Sequence, residues 1–157
     1  MINPSEPSPD MSEFQPAPPG WALAYHPKTF TATSGPYYFR QGDAPGVGFF
    51  AEERHGNLAG VTHGGALLTL ADMALWDICR RTVGLFHGVT VTLNAEFLGP
   101  GQVGDFIEAT GEPTRIGGKL MFSRGLISAG DRPIMSFSGT LKRVNATPGD
   151  SSEPRQR

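Results

Sequence analysis

Only one of the 157 residues is cysteine, Cys79, so no intrachain disulfide can form. A secreted scaffold held together by disulfides is therefore excluded. No apolar stretch approaches the roughly 20 residues that cross a bilayer as a helix. The N-terminus shows neither the basic start nor the apolar core of a signal peptide. These absences point to a cytoplasmic protein with no membrane partner. Thirteen basic residues face fifteen acidic ones, a formal charge of −2. That balance argues against nucleic acid as the principal partner, because binding a phosphate backbone requires a basic surface. The chain has no phosphate-cradling Walker loop, no G-x-S-x-G elbow and no metal-ligand spacing. His26, His55 and His87 have no ligand-like spacing with acids or with Cys79. No metal and no cofactor is expected.

What the chain has instead is glycine and proline, 21 and 14 residues. Proline and serine crowd residues 1–20, and a second polar stretch runs from Asn145 to the end. Neither stretch carries enough apolar surface to offset its ordering entropy, so both read as disordered tails around one domain, residues 21–144. Trp21 to Thr31 reads equally as a short helix or an extended lead-in. Tyr37–Gln41 and Val47–Glu53 are aromatic and β-prone and flank a turn-rich connection, which predicts a hairpin. Gly60 to Arg81 is the one long helical pattern, ended by Gly84. Within it Leu67, Leu70, Ala71, Ala74, Leu75 and Ile78 cover one wide face. Leu68, Met73, Trp76 and Cys79 carry apolar character further round, so the helix must be covered on most sides.

Beyond the helix the period changes to two. Val89, Val91, Leu93, Ala95 and Phe97 alternate with Thr90, Thr92, Asn94 and Glu96, the pattern of a half-buried strand. Phe106–Thr114, Lys119–Ser128 and Ile134–Arg143 follow as strands joined by short glycine turns. Two strands, one helix and four strands with tight connections predict an α+β domain with an antiparallel sheet.

Chemistry concentrates between Asn57 and Asp72. His63-Gly64-Gly65 feeds directly into the helix, where backbone N–H groups and the positive dipole end favour a developing negative charge. Such a donor beside a substrate carbonyl is an oxyanion-type contact. Asp72 shares a helix face with Leu68, Leu75 and Trp76, and a carboxylate among apolar neighbours needs a partner or a task. Asp77 has Arg81 at i+4 and reads as a helix ion pair. Cys79 reads as a small buried hydrophobe.

Asn57-x-x-Gly60-x-x-His63-Gly64-Gly65, then Asp72 on the helix, then Gly88-Val89-Thr90 opening a strand, resembles the hotdog-fold acyl-CoA thioesterases of the phenylacetate-pathway (PaaI-like) type. The likeness spans about Tyr37 to Val144. It implies a six-stranded antiparallel sheet wrapped around a long central helix. It also implies a homo-oligomer, dimer or homotetramer, with active sites at the subunit interface. On that resemblance the N–H of Gly65 or Gly64 polarises the thioester carbonyl, and Asn57 orients the carbonyl or the attacking water. Asp72 of the other subunit acts as general base, or alternatively as nucleophile. Thr90 keeps the hydroxyl with which relatives hold the water. His63 fixes the turn, a general-base role being its alternative. The implied reaction is hydrolysis of an acyl- or aryl-CoA to the acid and free CoA, with CoA as part of the substrate. Leu68, Trp76 and Phe86 are candidates to border the acyl pocket. Arg115, Lys119, Arg124, Lys142 and Arg143 are candidates for the CoA phosphates. Two other readings compete: a non-catalytic acyl-CoA-binding hotdog domain, and an acyl-thioester hydratase or dehydratase using His63 and Asp72.

Overall fold

The computed structural model describes residues 14–144 apart from Tyr25 and Pro27. Of the expected tails at residues 1–20 and 145–157, residues 1–13 and all of 145–157 lie outside the described residues. Of the remainder of the N-terminal stretch, the Gln15 carbonyl accepts from Tyr38 Oη at 2.6 Å and the Gly20 carbonyl from the Gln41 N–H at 2.7 Å.

Strand β1 (Trp21–Ala24) leads to a short helix α1 (Phe30–Ser34), strands β2 (Tyr37–Arg40) and β3 (Val47–Phe50), and a 3-10 turn at Glu53–His55. The long helix α2 spans Gly64–Val83, followed by β4 (Gly88–Phe97), β5 (Phe106–Ile116), β6 (Leu120–Ala129) and β7 (Arg132–Arg143). All strand pairs are antiparallel, and the sheet order is β1-β2-β3-β5-β6-β7-β4. The α+β architecture matches the sequence reading, but the sheet has seven strands rather than six. The seventh is β1, four residues paired to β2 from Trp21↔Arg40 to Ala24↔Tyr37. Of the two readings of Trp21–Thr31, the extended one describes Trp21–Ala24, and the short helix starts only at Phe30 and runs on to Ser34. Glu53, expected to end β3, lies in the 3-10 turn instead.

Helix α2 begins at Gly64, not Gly60, because residues 57–61 close a turn of their own. It ends where Gly84 takes a φ of 79° and returns its N–H to the Arg80 carbonyl. Leu67, Leu70, Ala71, Ala74, Leu75 and Ile78 are buried against the concave side of the sheet. Close approach depends on missing side chains. A Cβ on Gly139 of β7 would lie 2.3 Å from Leu75 Cδ1 and 2.6 Å from the Thr92 carbonyl oxygen.

Asp77 is more than the expected pair with Arg81. It has no exposed surface, and its carboxylate accepts from Arg80 at 2.8 Å, Arg81 at 3.3 Å and the Gly46 N–H at 3.0 Å. Arg81 also donates to the carbonyls of Arg40 and Gly42. One carboxylate thus ties α2 to the β2–β3 connection, and its charge is matched by two guanidinium groups rather than left bare. Asp77→Ala should leave two arginines facing a desolvated gap and lower stability by about 3 kcal/mol. Urea denaturation checks this, and a loss below about 1 kcal/mol would show that the clamp matters little.

Candidate functional site

The segment from Glu52 to Gly65 is held by its own hydrogen bonds before it reaches the helix. The Asn57 N–H donates to the Val61 carbonyl at 2.8 Å, and Gly60, at a φ of 78°, donates its N–H to the Asn57 carbonyl. Gly56 and Thr62 pair across the base of this loop. The Thr62 N–H donates to Gly101 and the His63 N–H to His55, at 2.8 and 2.7 Å. Asn57 Oδ1 accepts from the N–H groups of Ala59 and Val61, at 2.9 and 3.4 Å. With its oxygen committed to this Asx turn, the amide offers only Nδ2, a donor, to anything beyond the loop.

His63 is the N-cap of α2. Its Nδ1 accepts from the Gly65 N–H at 2.9 Å, and its carbonyl accepts from Ala66 and Leu67. The Gly65 donor is therefore spent. Among the described residues the Gly64 N–H, at the first turn and on the positive end of the dipole, has no partner. A Cβ there would lie 3.1 Å from the Phe97 ring, so the glycine lets Phe97 lie close to the helix start. The imidazole lone pair of His63 is used in capping, which leaves Nε2 as the protonated nitrogen and no basic atom for proton abstraction.

Asp72 sits eight residues along α2 and is exposed in the single chain, not buried as its apolar neighbours suggested. Leu68, one turn before it, is 37% exposed, and Trp76, one turn after, is half-buried. Asp72 is not free, because Thr90 Oγ1 donates to Oδ1 at 2.6 Å. That contact depends on an irregularity in β4. The register shifts between Thr90 and Thr92, so Thr90 stands opposite Leu141 and Thr92 opposite Thr140. Thr90 thereby joins the helix-facing side with buried Leu141, while Val89 and Val91 are exposed at 52% and 53%. The strict alternation expected from Val89 to Phe97 holds only beyond this bulge, which turns the chain by one position.

Of the other candidates, Phe86 stacks on Trp76 with ring centroids 6.2 Å apart, and the Arg80 guanidinium lies over the Trp76 ring, 5.3 Å from its centroid. Phe86, Lys119, Lys142 and Arg143 line one concavity, which Arg115 does not reach. Arg124 is elsewhere, paired with Glu112 at 2.7 Å. Burial pushes the Cys79 thiol up from its ordinary range, so it is a poor nucleophile. Among the described residues no three His, Cys, Asp or Glu side chains gather as a metal site.

Residues 59–135 match the family model described as "Thioesterase superfamily". A Pseudomonas aeruginosa protein named "Putative esterase PA0474" is 31% identical over 128 residues, which cover 79% of this chain and 95% of that one. The chain belongs to the thioesterase superfamily. Its fold is that of the PaaI protein from the E. coli phenylacetic acid degradation operon, with a TM-score of 0.67 at 22% identity, covering 76% of this chain and 88% of that one. A hypothetical thioesterase protein of Streptococcus pneumoniae, solved with coenzyme A, superposes with a TM-score of 0.60 at 23% identity, covering 69% and 86%. In this thioesterase-superfamily chain the hotdog helix is α2, and the sheet carries one strand more than the family resemblance implied.

His55 is a site residue that spacing did not reveal. It is 6% exposed, its ring packs edge-on against Phe49 at 4.9 Å, and its Nδ1 accepts from the Glu52 N–H at 2.9 Å. The only local signal was its i+3 position from Glu52. Through its carbonyl it holds His63, and through its ring it holds the start of the loop. Burial, reinforced by the Arg54 charge, lowers the His55 pKa below 6.5. The folded imidazole thus stays neutral where the unfolded one, at about pH 6.5, takes up a proton. The unfolded state binds more protons in that window, so stability is full above it and falls as pH drops from about 6.5 toward the folded value. Urea denaturation between pH 7.5 and 5 should show a smaller loss in His55→Gln than in the wild type. Parallel curves would remove His55 as the cause.

Proposed function

We propose that this protein is a cytoplasmic acyl-CoA thioesterase whose active site is completed by a second copy of the chain. The carrying observation is the placement of two groups on α2: an unpartnered Gly64 N–H at its start and an oriented Asp72 carboxylate further along. Eight residues of helix separate them by about 12 Å. A carbonyl held at Gly64 is therefore out of reach of the same chain's Asp72, and a second chain running beside the first would supply the carboxylate. The open edge supports such pairing. Among the described residues strand β4 is paired on one side only, to β7, and its Val89, Val91 and Phe97 are exposed at 52–57%. An exposed apolar edge strand is normally covered.

In this reading the thioester carbonyl oxygen lies against the Gly64 N–H, with Asn57 Nδ2 as a second donor. Asp72, its Oδ1 held by Thr90, takes a proton from water through Oδ2 as the water oxygen attacks the carbonyl carbon. The tetrahedral oxyanion is stabilised by the donors and the helix dipole. Its collapse breaks the C–S bond, releasing the carboxylic acid and the CoA thiolate, which is protonated at the expense of the Asp72 carboxyl. The general-base route is preferred to attack by Asp72 itself, because it needs only a water held at Oδ2 and no covalent intermediate on a carboxylate already oriented by Thr90. The capping role of His63 disfavours the hydratase reading, which needs a second proton-transfer group. Leu68 and Trp76, flanking Asp72 on the exposed face, are the proposed acyl-side contacts. The choice of CoA as the thiol draws on the superfamily and on its neighbours solved with coenzyme A or acetyl-CoA.

Asp72→Asn should reduce thiol release from short, long and aromatic acyl-CoAs by about 10²–10⁴-fold, the usual weight of a general base. Wild-type rates in this variant would refute the mechanism, and no release by the wild type from any acyl-CoA would favour a binding domain. Light scattering at micromolar concentration should give at least twice the single-chain mass. A monomer that hydrolyses acyl-CoA at the full rate would rule out the shared site.

A further inference from the structure

Each of the two donors assigned to the thioester carbonyl stands beside an exposed apolar side chain that the mechanism does not use. At the helix start this is Phe97. The distal edge of its ring lies 3.1 and 3.2 Å from the point where a Cβ on Gly64 would sit. Gly64 has no side chain to hold the ring off, so the ring edge rests against the residue whose N–H is free. Phe97 closes β4 opposite buried Met135, on the inward parity of Leu93 and Ala95. The two residues after it, Leu98 and Gly99, donate their N–H groups to the Ile134 carbonyl at 2.8 and 3.2 Å. The backbone that carries the ring is thus pinned, yet more than half of Phe97 remains exposed. An aromatic side chain left this open adds little to the core. In the loop the exposed residue is Leu58, on the Asx turn made by Asn57. It lines a concavity of about 680 Å³ with Asn57, Ala59 and His63.

A carbonyl oxygen accepting from Gly64 stands about 2.9 Å from that nitrogen. The carbonyl carbon follows about 1.2 Å beyond the oxygen, and its two substituents spread to either side. One is the sulfur, whose pantetheine arm carries amides that need hydrogen-bond partners. The other is the acyl α-carbon. A ring edge and a leucine offer nothing to an amide and suit a hydrocarbon. We propose that Phe97 packs against the α-carbon of the bound acyl group and limits the branching that this carbon can carry. The proposal rests on the acyl-CoA reading and deepens it by naming the substrate class, acyl groups unbranched next to the carbonyl. Leu68 and Trp76 flank Asp72 and enter the site with that carboxylate, whereas Phe97 belongs to the chain that supplies Gly64. A ring already seated against the Gly64 backbone cannot retreat toward the helix. It therefore leaves room for a methylene at the α-carbon and resists an added methyl.

The test compares α-methylbutyryl-CoA with β-methylbutyryl-CoA, which differ only in where the branch lies. The full-length wild type should favour the β-methyl ester in kcat/KM by about tenfold or more, the usual weight of one misplaced methyl group in a shaped site. Phe97→Ala should bring the two esters to within about threefold by raising the rate on the α-methyl ester, and Phe97→Leu should fall between. Light scattering should give Phe97→Ala the wild-type mass. An unchanged ratio in Phe97→Ala, or no discrimination by the wild type, overturns the assignment. A Phe97→Ala protein reduced to single chains also overturns it and makes the ring a subunit contact. The same comparison is read without turnover by calorimetry of the oxoalkyl thioethers of CoA that carry the two branches. These keep the carbonyl and have no scissile acyl–sulfur bond. Branch-dependent binding that Phe97→Ala abolishes, in a wild type that hydrolyses neither ester, would defeat the thioesterase reading and leave Phe97 in this role. Hydrolysis of both esters at equal kcat/KM by the wild type would do the reverse.

Discussion

A 20-residue helix that is apolar over most of its circumference must be covered, and the rest of this molecule follows from how that is done. The sheet covers α2 on the side of Leu70, Leu75 and Ile78, closely enough that β7 needs a glycine at position 139 where Leu75 crosses it. The side of Leu68 and Asp72 stays open in the single chain. At the helix's far half, Asp77 and its two arginines fasten α2 to the β2–β3 connection, so sliding or rolling the helix would break an ionic knot built on a fully buried carboxylate. Position along the helix axis is thereby set. The face that α2 turns to the sheet is set with it, and Leu68 and Asp72 are held on the open side.

The helix start is equally constrained. The loop from Asn57 to Val61 closes on itself and is pinned to Gly101 and His55. His63 then consumes the Gly65 donor and leaves the Gly64 donor unused. Preorganisation of this kind is what an oxyanion contact requires, because a donor already aimed need not be reoriented when charge develops. The same loop commits the Asn57 oxygen and so determines which end of the amide faces outward.

Most of this architecture was legible in the residues because it rests on strong periodicities: the helical pattern through Ile78, the two-residue pattern of the later strands, and glycine at each reversal. What escaped was local. β1 is only four residues long and carries no period to read. Asp72 was expected to be buried, because its neighbours are apolar, yet those neighbours are partly open in the single chain; composition registers that a face is to be covered but not by what. His55 braces the site through a ring packed on Phe49, a contact between residues whose spacing follows no helix or strand repeat. Phe86 sits near Trp76, as an acyl-pocket residue should, and also beside Lys142 and Arg143, which only the folded register of β4 and β7 brings to it. The six-strand expectation, common to the residue pattern and to the family resemblance, missed the short strand that this chain pairs onto β2.

The bulge in β4 acts as a phase slip in an otherwise regular two-residue alternation. Residues after it, from Thr92 to Phe97, keep one parity of inward and outward side chains, and residues before it, from Gly88 to Thr90, take the other. The strand is therefore divided into two stretches that answer to different demands. The later stretch is held to the packing of the sheet, while the earlier one meets Asp72 through Thr90 and the end of β7 through its pairing with Leu141, Lys142 and Arg143. A single inserted residue thus lets one strand keep Leu93 and Ala95 against the core while Thr90, out of phase with them, also turns toward α2 and reaches Asp72.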